Sequence, residues 1–183
     1  YSKMHLVPFG EFLPLEPILG FLRRFVFIPH FSPGKEKTVF EIVGLGPRKN
    51  DRAKFSVLIC YEDMFPGLVR SFCREGADFL VNITNDAWFG PTSAPYQHAQ
   101  ASVFRAVENR VPVIRAGNTG LSCFISPEGR ILSRVQDKGR DLFVTGYKTQ
   151  DLVLKKTVTF YTRFGYFFFL LMVFVCFLAY QDN

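Results

Sequence analysis

The stretch FSVLICYED, residues 55 to 63, ends a run of β-favouring apolar residues in a thiol, with Tyr61, Glu62 and Asp63 directly after it. A cysteine in an apolar run is ordinarily a small hydrophobe, but at the tip of a strand beside carboxylates Cys60 has the placement of a nucleophile. A free thiol with a pKa of about 8.5 needs a base or a nearby cation to act at neutral pH. The chain has three histidines, His5, His30 and His98, and none has a neighbouring pattern that recommends it. His98, at the start of a helical stretch, is the one that stays open as a thiol partner in a cysteine–histidine hydrolase. The other source of activation is lysine with carboxylate. The opening residues YSKMHLVPFGE supply both, with Lys3 and Glu11 flanking an apolar run closed by Pro8 and Gly10. Cys73, Cys123 and Cys176 read as structural. The four cysteines show no CxxC and no metal-like spacing, so neither a zinc site nor a disulfide framework is expected.

Those residues need elements to hold them. KTVFEIV (37–43) and AKFSVLI (53–59) flank GLGPRKNDR, whose Gly, Pro and Asn mark a turn, so the pair reads as a hairpin that delivers Cys60 at its exit. GLVRSFCRE after Pro66 reads as a short helix, FLVNIT (79–84) as a buried strand, and NDAWFGPTSAPY (85–96) as a loop rich in breakers. Gln97 to Asn109 sets Ala99, Val103, Ala106 and Val107 on one helical face. Short strands are expected at Val113–Ala116, Ser122–Ser126, Ile131–Val135 and Leu142–Tyr147. Helices and strands mixed in this way favour a layered α/β or α+β domain.

Length and composition bound the rest. With 183 residues and 48% hydrophobic content, one sizeable core plus a short appendage is expected. The net charge of +6 is scattered rather than striped, which fits an anionic lipid surface weakly and nucleic acid poorly. Phenylalanine occurs 22 times, more than a soluble core needs, which points to membrane contact. From Phe164 to Gln181 runs FGYFFFLLMVFVCFLAYQ, uncharged and flanked by Arg163 and Asp182. As one helix at 1.5 Å per residue it would cover about 27 Å, close to the roughly 30 Å of a hydrocarbon core, and a transmembrane span is preferred to a buried helix. FLPLEPILGFLRRFVFIPHF (12–31) reads either as a core helix or as an arm whose Phe and Leu side chains dip into a lipid interface while Arg23 and Arg24 meet phosphate.

YSKMHLVPFGEFLPLE, LICYEDMFP and NITNDAWFGPTSAPYQH, in that order and spacing and continued by RAVENRVPVIRAGNTG, resemble the nitrilase-like domain of the bacterial apolipoprotein N-acyltransferase family. The resemblance covers essentially the whole chain. It implies a nitrilase-like α-β-β-α sandwich over residues 1–160, incomplete at its N-terminus, followed by one C-terminal transmembrane helix in 161–183. It also implies a Glu-Lys-Cys triad with Cys60 as nucleophile and Lys3 as the triad lysine. Glu11 becomes an orienting acid, Glu62 a further required acid, and Tyr61 and Trp88 residues near the thioester and the lipid path. The triad glutamate has no match and is expected upstream of Tyr1.

The activity so implied is a two-step acyl transfer. Cys60 takes a fatty acyl chain from a membrane phospholipid as a thioester, and the N-terminal amine of a diacylglyceryl-cysteine lipoprotein then accepts it. No metal or cofactor is required. The partners are the phospholipid donor and the lipoprotein acceptor, with no nucleic acid, and the protein is expected to be a membrane-embedded monomer. Its place is the bacterial inner membrane with the catalytic domain facing the periplasm, against a positive-inside count on Lys155, Lys156 and Arg163 that would put the domain in the cytoplasm. Two other readings stay in play. One is a nitrilase-superfamily amidohydrolase with water as acceptor, which would need neither the span nor the arm. The other is a non-catalytic membrane-anchored scaffold, which Lys3, Glu11 and Cys60 together disfavour. Trp88 and Phe89 are either loop anchors or a movable apolar gate.

Overall fold

β-Branched and aromatic residues at 52–59 form an eight-residue strand, β2 (Arg52–Ile59), paired antiparallel with β1 (Phe40–Val43) through Phe40↔Phe55. In the computed structural model, which describes residues 1–44, 50–154 and 157–181, the expected hairpin therefore exists, while most of its turn (45–49) lies outside the described residues. β2 runs parallel to β3 (Phe79–Asn85), and β3 parallel to β4 (Val113–Asn118). β5 (Cys123–Ile125) and β6 (Ile131–Arg134) follow antiparallel, completing a six-stranded mixed sheet in the order β1-β2-β3-β4-β5-β6. The α/β class expected from the sequence is what the chain forms.

Period-two alternation makes the two faces of this sheet unequal. Ser56, Leu58, Leu80, Asn82, Val113 and Arg115 share one face by register and are all buried. Their neighbours Phe55, Val57, Val81 and Ile114 on the other face are half-buried, and Ile83 there is exposed. Phe40, Phe55 and Phe79 stack across that second face at centroid distances of 5.2 and 5.3 Å. The crossovers between the parallel strands are helical: α2 (Pro66–Arg74) joins β2 to β3, and α3 (Ala94–Asn109) joins β3 to β4. Each has a proline in its first turn, where the missing N–H costs nothing, and α3 accordingly begins three residues earlier than apolar spacing predicts.

Two stretches differ from expectation. Leu142–Tyr147 is not a strand, because Phe143 takes a left-handed φ of 55° and donates its N–H to the Thr119 carbonyl, which breaks extended geometry. The apolar C-terminal stretch is not one helix. α4 (Phe160–Phe164) stops at Gly165, whose φ of 63° suits glycine, and α5 (Phe167–Gln181) restarts two residues on. At 15 residues α5 reaches only about 22 Å, and no helix among the described residues is long and apolar enough to cross a membrane. Phe169, Leu170, Phe174 and Phe177 on it are all exposed. Lys155 and Lys156, which entered the charge count, and Asp182, which bounds the apolar stretch, lie outside the described residues.

Tyr1–Thr38 and Val39–Asn183 are separate compact units. Within the first, 12–31 is no core helix. It holds a single turn, α1 (Glu16–Leu19), a 3-10 extension over Gly20–Arg24 and irregular chain, with Leu13 and Ile28 buried but Ile18, Phe21, Phe25 and Phe27 exposed. Arg23 is tied into this arm by Glu16 (3.0 Å), the Ile28 carbonyl (2.9 Å) and His30.

Candidate active site

β2 ends at Ile59, and the chain turns at once into a 3-10 turn over Cys60–Met64. Cys60, its first residue, has φ 57°, a left-handed conformation that costs an L-residue about 1–2 kcal/mol. Two hydrogen bonds hold it there. The Ile59 N–H donates to Glu62 Oε2 at 2.8 Å, and Asn82 Nδ2, from β3, donates to the Cys60 carbonyl at 2.8 Å. At about 0.5–1.5 kcal/mol each, the pair offsets the backbone strain. Alternation along a continuing strand would point Tyr61 and Glu62 to opposite sides, but the strand has ended. Glu62 folds back and is fully buried, whereas Tyr61 is half-buried with its ring edge-on to Phe65 at 5.2 Å. Cys60 itself remains partly accessible.

The other thiols sit in contrasting settings. Burial, helped by the charge of Glu108, pushes Cys73 up to about 12, and burial pushes Cys123 up to about 11, so both are inert near neutrality. Cys176 lies exposed on α5.

Lys3 and Glu11 belong to the first unit and form an ion pair within it. Lys3 Nζ donates to Glu11 Oε1 at 2.7 Å and Oε2 at 2.8 Å, with the lysine side chain only 10% exposed. Glu11 is placed by the PFGE turn. Phe9 takes φ 61°, the Glu11 N–H donates to the Val7 carbonyl, and the Val7 N–H donates to Glu11 Oε2 at 2.8 Å. Cys60, Tyr61, Glu62 and Trp88 belong to the second unit. Trp88 is 82% exposed on a 3-10 turn (Ala87–Phe89), while Phe89 packs edge-on against the His98 ring at 6.2 Å. Of the aromatic pair, Phe89 anchors the loop and Trp88 projects from it.

Behind the Cys60 turn lies a buried polar cluster that motif reasoning missed. Asp63, one residue past Glu62, accepts from His98 Nε2 (3.1 Å) on one oxygen, and from Ser102 Oγ and Arg115 (2.9 Å) on the other. Asp86, which opens the Trp88 loop, accepts from His98 Nδ1 (2.9 Å) and Thr84 on one oxygen and from Arg115 (3.2 Å) on the other. Arg115 also donates to Asn82 Oδ1 at 2.9 Å, and Asn82 in turn grips the Cys60 carbonyl. Arg115, Asp63 and Asp86 are wholly inaccessible. His98 therefore has both ring nitrogens engaged by carboxylates, and the reading of it as a thiol partner for Cys60 gives way. The signal was present in ICYED and NITND, whose aspartates had no assigned task, but their partners on α3 and β4 are distant in sequence. Among the described residues no group of His, Cys, Asp and Glu is arranged to hold a metal ion.

Residues 1–153 match the carbon-nitrogen hydrolase family model. The apolipoprotein N-acyltransferase of Geobacter metallireducens is 41% identical over 165 residues, which is 90% of this chain and 29% of that protein. The Rickettsia typhi protein of the same name is 39% identical over 181 residues, 98% of this chain and 34% of that one. The chain thus spans about a third of the length of the curated relatives it matches. Among solved structures, an amidase from Nesterenkonia sp. AN1 aligns with a TM-score of 0.49 at 24% identity, over 74% of this chain and 46% of that one.

Proposed function

The chain belongs to the carbon-nitrogen hydrolase family, and on that premise we propose that it is the Cys60-bearing part of an enzyme that moves a fatty acyl chain from a phospholipid to the N-terminal amine of a diacylglyceryl-cysteine lipoprotein. The observation that carries this reading is the strained turn at Cys60. A thiol at the C-terminal end of a parallel strand, on left-handed backbone fastened by Glu62 and Asn82, is the placement a nucleophile needs.

In the proposed first step Cys60 Sγ attacks the ester carbonyl of the donor. The thiol proton passes to a carboxylate base and then to the departing glyceryl oxygen, so that a lysophospholipid leaves and a thioester remains. Lys3, its ammonium held by Glu11, is assigned to the oxyanion together with the N–H of Tyr61. Glu62, whose Oε2 accepts the Ile59 N–H, is assigned as the further required acid that holds the Cys60 turn in place. In the second step the lipoprotein amine attacks the thioester carbonyl, the carboxylate base takes a proton from the amine and returns it to the departing Cys60 sulfur, and the amide and the free thiol result. Trp88 is assigned to the acyl path. The α-β-β-α sandwich is supported by one sheet face buried under helices and a second face left half-apolar, as an inner layer requires. A lipid setting, at the bacterial inner membrane with the domain on the periplasmic side, is supported by the exposed phenylalanines of α5 and of the 12–31 arm.

The test uses the full-length protein incubated with phospholipid and no acceptor. A fatty-acyl mass increase should appear on Cys60 and be removed by hydroxylamine. A diacylated lipopeptide with a free amine should discharge it to a triacylated product, and an acetylated lipopeptide should not. Rapid loss of any adduct to water, with turnover of small amides, would overturn the reading in favour of an amidohydrolase.

A further inference from the structure

The polar cluster behind the Cys60 turn contains one group whose protonation state its partners dictate. A carboxylate offers only acceptors, so a ring nitrogen facing one must carry a proton. His98 faces one on each side, Asp63 Oδ1 at 3.1 Å from Nε2 and Asp86 Oδ1 at 2.9 Å from Nδ1, and its side chain is 6% exposed. With both nitrogens protonated the four buried charges cancel: Arg115 and His98 positive, Asp63 and Asp86 negative. A neutral ring would leave one short nitrogen-to-oxygen contact without a proton and the cluster one charge negative, in a place where unpaired charge is costly.

The two aspartates belong to different parts of the second unit. Asp63 sits in the 3-10 turn that begins at Cys60, and Asp86 opens the loop that carries Trp88. We infer that His98 is a positioning residue, held as an imidazolium whose two N–H groups fasten the Cys60 turn to the Trp88 loop. α3 supplies the ring from its first turns, and Phe89 closes over its edge at 6.2 Å. The groups around it are Asp63 on the turn, Asp86 and Thr84 at the end of β3, Ser102 on α3 and Arg115 on β4. Burial and Arg115 act against the imidazolium, while the hydrogen bonds to Asp63 and Asp86 outweigh them and hold its pKa above the ordinary value. When the proton leaves, one of the two fastenings must fail, and the loop is the more weakly held end. Asp63 keeps Arg115 at 2.9 Å and Ser102, with Arg105 on its carbonyl, while Asp86 keeps Thr84 and Arg115 at the longer 3.2 Å.

Trp88 is the only tryptophan in the chain, so its fluorescence reports this loop alone. In the full chain with 15N-labelled histidine, the His98 ring should show two protonated nitrogens at pH 7.5, with the signal assigned by its loss in His98→Gln. A neutral tautomer at that pH overturns the inference without needing any variant to fold. Steady-state fluorescence anisotropy of Trp88 should fall as pH is raised through the His98 titration, and in His98→Gln it should be low and flat with pH. Anisotropy that is flat in the unsubstituted chain, or keeps its pH dependence in His98→Gln, also overturns it. The kinetic consequence rests on the acyl-transfer reading. In the full-length enzyme kcat should fall at least tenfold in His98→Gln with KM little changed, and in the parent kcat should fall along the same alkaline limb as the anisotropy. If no acyl adduct forms on Cys60, that reading fails while the charge state and loop mobility remain separately measurable.

Discussion

Cys60 carries its thiol on backbone that most L-residues avoid, a cost that the proposed nucleophile role accounts for. A left-handed residue of any type but glycine is disfavoured by about 1–2 kcal/mol, so a sequence selected only for stability would place glycine there. Comparing Cys60→Gly with Cys60→Ala cancels the loss of the sulfur and isolates the strain. The glycine variant should be the more stable of the two by about 1 kcal/mol in urea unfolding, and neither should form an acyl adduct. An alanine variant as stable as the glycine one would mean the turn is unstrained. The same site shows what was legible at the level of single residues. The strand exit, the thiol and the following glutamate could be read from FSVLICYED because they are contiguous. That Glu62 turns back onto the Ile59 N–H could not, because alternation along a strand gives no sign of where the strand stops.

At the level of elements, α3 departs furthest from its sequence pattern. Apolar spacing put Ala99, Val103, Ala106 and Val107 on the inner face, yet Val107 is 38% exposed and the buried stripe includes His98, Ser102, Arg105 and Asn109 beside Ala99 and Ala106. Polar residues face inward here because partners await them. Asp63 arrives from the Cys60 turn and Arg115 from β4, while Asn109 accepts from Thr162 of α4. Those partners lie tens of residues away in sequence, beyond any local periodicity, whereas β2 to β6, carried by β-branched and aromatic runs, were readable nearly to their ends, and only 142–147 was read as a strand that does not form. The difference between buried and exposed charge gives a prediction. Arg115→Met removes the counter-charge of two inaccessible aspartates and should cost about 3–5 kcal/mol. Arg134→Met breaks a pair with Asp141 in which the arginine side chain is 40% exposed, and should cost at most about 1 kcal/mol. Urea midpoints followed by circular dichroism, with unchanged slopes, check the contrast, and equal losses would deny the cluster its structural weight.

For the whole molecule the relevant balance is that between protons and folding. Two groups of one cluster shift in opposite directions. Burial opposes the charged forms of both His98 and Asp86, but their mutual hydrogen bond and the neighbours around them win, raising His98 and lowering Asp86 from their ordinary values. Because His98 is raised, the stability it contributes is fully present below its unfolded pKa of about 6.5 and is lost as pH climbs through its folded value. Because Asp86 is lowered, its contribution is present above about 3.9 and is lost as pH falls through its folded value. Stability should therefore plateau between about pH 4 and 6.5 and decline on both sides. Cys73 and Cys123, raised by burial, add their own alkaline loss only above about pH 8.5, so the histidine limb stands clear of them between pH 6.5 and 8. Urea midpoints measured from pH 3 to 8 should show both limbs in the parent chain. His98→Gln should flatten the alkaline limb, and Asp86→Asn the acid one, each lowering the plateau. An alkaline decline that survives His98→Gln would place the responsible proton elsewhere, and would separate the stability of this fold from the imidazolium that joins its two working segments.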